Sequence, residues 1–266
     1  MIRDITIGQY YPADSVLHRL DPRVKLAGTM VFLISLFLFN NLIGYVVAGL
    51  FLATMIKISK VPFSFIVRGL KTIVILMLFT VVFNLFLTEG TILWQWKFIK
   101  ITIEGIQTAV FMSLRLIFLI IGSSLMTLTT TPNQLTDGLE TGLAPLKKLH
   151  LPIHEISMMM SIALRFIPIL LEETDKIMKA QMARGADFES GNLFKKAKNL
   201  IPLLVPLFIS AFRRANDLAM AMEARCYHGG AGRTKMKPLV YKARDRVAYL
   251  VLIGYFAVII ASRYAP

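Results

Sequence analysis

The chain has 266 residues, 56% of them hydrophobic, and a mean hydropathy of +0.63. A soluble domain is about 45–50% apolar, so this composition points to a membrane protein. The 30 Lys and Arg exceed the 16 Asp and Glu to give a formal charge of +14, which in such a protein marks cytoplasmic segments and not a nucleic-acid partner. Cys226 is the one cysteine, which excludes an internal disulfide and any cysteine-based metal cluster.

The chain opens with MIRDITIGQYYPADSVLHRLDPRVKL, which has no apolar core and does not read as a cleavable signal peptide. A membrane-spanning helix needs about 20 mostly apolar residues, and five regions approach that length. The first covers 24–39, its start signalled by Asp21 as cap and Pro22 at the first helical position. The second, 42–56, follows a break at Asn40 and Asn41, and the third and fourth cover 73–87 and 106–128. A fifth, 247–262, closes the sequence. Several are short, so their ends are expected to reach into flanking residues.

Charge orients these spans. Arg3, Arg19, Arg23 and Lys25 precede the first, and Lys57, Lys60, Arg68 and Lys71 follow the second. The Asn40 and Asn41 turn is uncharged, and the 88–105 loop balances two lysines with two glutamates. The positive-inside rule then places the N-terminus, the 57–71 loop and the 129–246 region in the cytoplasm, with the C-terminus outside. The predicted organisation is all-α: a four-span membrane bundle over 1–128, a cytoplasmic domain of long amphipathic helices over 129–246, and a final transmembrane helix in 247–266.

The 129–246 segment holds eighteen basic and eleven acidic residues, yet contains apolar runs at 156–171 and 200–212. The first is interrupted by Arg165 and Pro168, and the second contains Pro202 and Pro206. Apolar runs of about 10–14 residues are more often interfacial or buried helices than spans. Both are read as amphipathic helices at or under the membrane surface, the alternative being one extra pair of spans.

Two copies of one short motif stand in this segment, forty-one positions apart: Ala180, Ala183, Arg184, Gly185, and Ala221, Ala224, Arg225, Cys226. Upstream of the first, Glu172 and Lys176, and Asp175 and Lys179, are acid-before-base pairs at helical spacing. Gly185 suits the position just past a helix C-terminus, which puts Arg184 in the last turn beside free carbonyls. The second motif repeats the alanine spacing and ends in Tyr227, His228, Gly229 and Gly230. One such arginine could merely neutralise its own helix end. Two copies favour a function made twice, the insertion of two helix ends into two similar clefts of a partner, where a guanidinium can pair bidentately with carboxylates.

Arg115 lies in the middle of the fourth span, where a charge costs about 2.5–3.5 kcal/mol on insertion scales and must face protein or water. Asn84 and backbone carbonyls are its candidate partners. No acidic residue stands within the five spans, which argues against a proton-coupled relay. His150 and His154 have helical spacing, but Pro152 between them disfavours a metal pair. Met158, Met159 and Met160 read as packing or interface. There is no Walker A pattern, no nucleophilic triad and no metal site, so no catalytic residue and no bound cofactor is expected.

Taken together, SVLHRLDPRVKL (15–26), TLTTTPNQL (127–135), ALRFIPIL (163–170), AQMARG (180–185), LVPLF (204–208) and AMEARCY (221–227) resemble the transmembrane (T) component of energy-coupling factor transporters. That resemblance covers almost the whole chain. It implies a membrane bundle with a cytoplasmic coupling domain whose two arginine-bearing helix ends dock into two ATP-binding-cassette subunits, which carry the ATP. Ala183, Arg184 and Gly185, and Ala224, Arg225 and Cys226, take those positions. It implies one further partner, a substrate-binding S component importing a vitamin or metal. Met158, Met159, Met160, Leu204, Leu207 and Phe208 are the candidate contacts for it. The family commonly has Gly where Cys226 stands, and the second helix is therefore expected to end later, near Gly229. The alternative function is a self-sufficient secondary carrier.

Overall fold

The computed structural model describes residues 10–71, 73–88, 90–96, 99–145, 152–188, 198–230, 236 and 238–264. Nine helices form the described framework: α1 (Pro22–Ser35), α2 (Leu42–Ser59), α3 (Phe63–Lys71), α4 (Val74–Leu87), α5 (Ile103–Thr129), α6 (Pro132–Gly142), α7 (Ile153–Ala183), α8 (Ile201–Glu223) and α9 (Ala243–Tyr264). The protein is a helical, multi-pass membrane protein. One feature escapes the sequence reading. The loop before α5 folds into an antiparallel hairpin, β1 (Ile92–Trp96) with β2 (Ile99–Thr102), pairing Trp96 with Ile99 and Ile92 with Thr102.

Helix starts follow from local chemistry. The Asp21 carboxylate accepts from the Arg23 backbone N–H at 2.9 Å, and Pro22 occupies the first turn of α1. Thr102 accepts from the Gly105 N–H at 3.0 Å to cap α5. The Thr-rich stretch ends in a capping box: the Thr131 hydroxyl accepts from the Gln134 N–H at 3.3 Å, and the Gln134 amide oxygen from the Thr131 N–H at 3.2 Å. That box starts α6.

Helices α2, α5, α7 and α9 are long and apolar enough to cross a membrane. Of the five expected spans, α2, α5 and α9 therefore reach full length. The other two, α1 and α4, have 14 residues each, about 21 Å of helix at 1.5 Å per residue. An added pair of spans would need both α7 and α8, and only α7 meets the criterion.

The chain divides into two compact units, Gly8–Gly142 with Leu239–Pro266, and Met1–Ile7 with Leu143–Pro238. These bounds differ from the sequence-based divisions at 128 and 246, and packing explains why. Helix α6 lies on α1, so close that a Cβ on Gly138 would stand 2.9 Å from Pro22. The approach to α9 is tied to α1 as well. The buried Asp245 carboxylate accepts from the Asp21 N–H at 2.9 Å and from the Lys242 N–H at 2.8 Å. Arg23 adds a bond to the Leu239 carbonyl at 3.2 Å and stacks 3.8 Å from the centre of the Tyr241 ring. The motif at 21–25 is thus the latch between the first and last helices of the bundle.

The core of this unit gathers Phe32 and Leu36, Tyr45, Ala48 and Leu52 from α2, Ile121 and Leu128 from α5, and Tyr255 and Ile259 from α9. Tyr255 stacks on Phe51 at 4.2 Å and shares a 2.7 Å hydrogen bond with Ser35, so its hydroxyl is satisfied without water. Gly122 lets Phe32 lie against α5, where a Cβ would come within 2.6 Å of the ring. Leu50, Ile75, Leu76, Leu250 and Ile253 stay exposed. Such a surface in water would drive association, whereas in a bilayer it meets lipid.

Removing Asp245 strands the buried Asp21 N–H, at a cost of about 1–3 kcal/mol, and frees the more exposed Lys242 N–H to water. Asp245→Ala is expected to lower the thermal unfolding midpoint of the purified chain in detergent, and Asp245→Asn, which keeps an acceptor, to lower it less. Equal midpoints for Asp245→Ala and the parent would contradict the latch.

Candidate docking site at two helix ends

The second compact unit is built on α7, with 31 residues, and α8, with 23. Both absorb an internal proline, Pro168 and Pro206, and both bury little. They run in opposite senses. Gln181, near the end of α7, donates at 3.3 Å to the carbonyl of Pro202 at the start of α8. Glu173, earlier in α7, accepts from Arg214, later in α8, at 2.7 Å. Beyond this bridge, on the side away from Gln181, lies a cleft lined by Ile162, Phe166 and Leu170 of α7 and Ala215, Leu218 and Met222 of α8. The expected pairs of Glu172 with Lys176 and Asp175 with Lys179 do not close within 4.0 Å among the described residues. The acid that finds a partner is the intervening Glu173, across the helix pair and not along one helix.

The two repeated motifs terminate these helices in the same way. At the end of α7 the Arg184 N–H bonds to the Gln181 carbonyl at 3.1 Å, Gly185 to Met182 at 3.0 Å, and Ala186 back to Gln181 at 3.0 Å. At the end of α8 the Arg225 N–H bonds to Met222 at 3.1 Å, Cys226 to Glu223 at 2.8 Å, and Tyr227 back to Met222 at 3.1 Å. Shifting one set by forty-one positions superimposes it on the other. Both are Schellman closures, in which a residue with positive φ turns the chain away and the following N–H reaches back to the last turn. Gly185 takes that conformation at φ 89° and Cys226 at φ 55°.

This overturns the expectation that Cys226 would carry α8 on towards Gly229. The helix ends at Glu223, and Cys226 adopts the left-handed conformation itself. The reason is that the closing bonds from Cys226 and Tyr227 fix the turn. In addition, the ring of His228 donates from Nδ1 to the Cys226 carbonyl at 2.7 Å. The cost for a non-glycine residue there is about 1–2 kcal/mol.

Ala183, Arg184 and Gly185 are exposed, and so are Ala224, Arg225 and Cys226. Ala180 and Ala221 are exposed beside them, leaving a low surface next to each arginine. Among the described residues neither guanidinium has an ion pair or side-chain hydrogen bond. Each arginine lies eleven positions beyond its own helix's member of the Glu173 and Arg214 bridge (173 to 184, 214 to 225), roughly 16 Å of helix. Because the helices are antiparallel, the two arginines stand at opposite ends of the pair, with the bridge midway between them.

The other predicted site residues fall in different places. Met159 and Met160 are exposed and Met158 half-buried near the start of α7, towards the end of the pair that carries Arg225. Leu204 and Phe208 are exposed and Leu207 half-buried on α8, towards the end that carries Arg184. The structure does not bring these two sets together. Instead Leu204 and Phe208 join Val205, Ile209 and Phe212 in one open apolar groove along α8. The last three, spaced four and three along the helix, fall within the apolar run at 200–212 already read from the sequence. His150 lies outside the described residues.

Arg115 finds partners within the membrane bundle through its terminal nitrogens, while its Nε is buried without a hydrogen-bond partner among the described residues. It donates to the Phe39 carbonyl at 3.1 Å and to the Asn40 side chain at 2.6 Å, and lies 5.4 Å from the centre of the Phe37 ring. The backbone-carbonyl candidate is correct and Asn84 is not, since Asn84 bonds to Thr80 within its own helix. The arginine thus holds the break between α1 and α2.

The Cobalt transport protein family model (CbiQ) matches residues 13–236. The chain is 57% identical over 265 residues to the energy-coupling factor transporter transmembrane protein EcfT of Clostridium kluyveri, covering 99% of this chain and 98% of that one. It is 50% identical to that of Bacillus subtilis over 264 residues, 99% of this chain and 100% of the other. The chain belongs to the energy-coupling factor transporter transmembrane protein family. The corresponding protein of Lactococcus lactis is 45% identical, with 95% of each chain covered. As a member of this family the protein is the transmembrane component of an energy-coupling factor transporter.

The two closures make opposite predictions for two substitutions at matching positions. Cys226→Gly relieves the left-handed strain and is expected to raise stability by about 1 kcal/mol, whereas Gly185→Ala introduces it and lowers stability by a similar amount. Thermal unfolding in detergent reads both. A lower midpoint for Cys226→Gly would contradict the assignment of that turn.

Proposed function

We propose that this chain is the non-catalytic coupling subunit of an ATP-driven importer, conveying motion from two ATP-binding-cassette subunits to one substrate-binding S component that takes up a vitamin or a metal. The observation that carries this reading is the pair of identically closed, exposed arginine ends at opposite extremes of one antiparallel helix pair. A motor of two similar halves offers two similar clefts. Ala183, Arg184 and Gly185 enter one, and Ala224, Arg225 and Cys226 enter the other, each guanidinium meeting acceptors while the small neighbours allow close approach. ATP sits on the partner subunits, and this chain holds no cofactor.

In this mechanism, closure of the ATPase pair changes the separation of the two ends. Arms of roughly equal length meet at the Glu173 and Arg214 bridge, so displacement at the tips becomes a change of angle between α7 and α8. The apolar groove of α8, with Leu204, Leu207 and Phe208, and the methionines at 158–160 on α7 change their presentation to the S component, whose reorientation releases substrate. Methionine suits a surface that repacks against a moving partner. The lysine- and arginine-rich segments support a cell-membrane topology with the N-terminus and the coupling helices cytoplasmic and the C-terminus outside.

The double substitution Arg184→Glu with Arg225→Glu is expected to abolish both co-purification with the ATPase subunits and substrate import, while each single substitution retains partial assembly. Import that survives the double change would overturn the docking role. Transport by this chain in vesicles lacking the ATPase subunits would favour the self-sufficient carrier.

A further inference from the structure

The membrane bundle contains a cavity of about 470 Å³ between α1, α2, α5 and α9, a volume within the range of ligand pockets, about 300–1,000 Å³. Its wall is apolar over most of its extent, with Phe32, Leu52, Met55, Leu125, Val251 and Leu252. Two of its three threonines are silent, because Thr54 donates to the Leu50 carbonyl and Thr129 to the Leu125 carbonyl, both within their own helices. Among the described residues, the charged ones that line it are Lys25 and Arg244, both cationic.

Among the described residues neither cation has an ion pair within 4.0 Å; Asp21, the acid whose charge is felt at Lys25, is paired with Arg23. The Lys25 ammonium donates to the Thr129 carbonyl at 2.7 Å and the His18 carbonyl at 3.2 Å, which uses two of its three donors. The Nε of Arg244 is buried without a hydrogen-bond partner. The neighbouring Asp245 is committed to the Asp21 and Lys242 N–H groups. A buried donor of this kind, next to a long apolar wall, calls for an acceptor that carries a tail.

We propose that this cavity is a binding site for an anionic phospholipid, with an acyl chain along the apolar wall and the headgroup phosphate at Arg244 and Lys25. A free phosphate would satisfy the cations but would leave the apolar volume unfilled. A zwitterionic lipid would fill the volume but would carry a compensating cation next to two others. With the proposed topology the cations lie at the cytoplasmic leaflet, where anionic lipids attract basic residues. Occupancy would join α1, α2, α5 and α9 through one ligand beside the latch formed by Asp21, Arg23 and Asp245.

The test uses the purified full chain incubated with vesicles of equimolar phosphatidylglycerol and phosphatidylcholine bearing the same acyl chains, with retained lipid counted by native mass spectrometry. Phosphatidylglycerol is expected to be retained in preference. Arg244→Gln should lower its retention about fivefold, Arg244→Lys should preserve most of it, and Ala248→Phe, which fills the cavity from α9, should lower retention of both lipids. Glycerol phosphate, the headgroup without the tail, should leave the bound lipid in place. Equal retention of the two lipids by the parent chain, unchanged phosphatidylglycerol retention in Arg244→Gln or in Ala248→Phe, or displacement by glycerol phosphate would overturn the proposal.

Discussion

A helix leaves its last carbonyls without intrahelical partners, and how they are closed decides what the residue at the end can do. In α7 and α8 the same three closing bonds recur forty-one positions apart, so Arg184 and Arg225 emerge from matching places in the two turns. The turn that satisfies the carbonyls also directs the following chain away and leaves the arginine exposed. Everything proposed for the coupling helices depends on this equivalence. Two ends that differ in geometry could not serve two similar clefts.

A second constraint operates in the membrane bundle, where polar groups need partners supplied by the protein. The structure answers it at three places by bringing distant segments together. Asp245 serves the starts of both α1 and α9, Arg115 closes the break after α1, and Ser35 with Tyr255 forms a buried pair between the first and last helices. These links explain why Leu239–Pro266 belongs to the same compact unit as Gly8–Gly142 although the whole coupling region intervenes in sequence.

Much of this was legible in the sequence because it rests on local rules. Asp21 and Pro22 announce the start of α1, the apolar runs locate the spans, and the repeated alanine and arginine spacing marks the two helix ends. What was hidden depends on contacts between distant residues. Nothing near Glu173 indicates that it prefers Arg214 to a lysine four residues along its own helix. The hairpin at 92–102 lay unseen between charges that balance, and the polarity of α6 conceals how closely Gly138 lets it approach Pro22. The late ending expected for α8 rested on a general dislike of left-handed backbone, and at Cys226 the closing hydrogen bonds outweigh that dislike.

The central claim is that the end of α8 is a docking end, and the chain carries its own reporter. Cys226 is its one cysteine, and it is exposed. The direct measurement is the rate at which a maleimide modifies Cys226 in the purified chain, compared with the rate after assembly with the ATPase subunits. Strong protection on assembly is the predicted result. The same rate in both states would show that this helix end remains in solvent and would contradict the account.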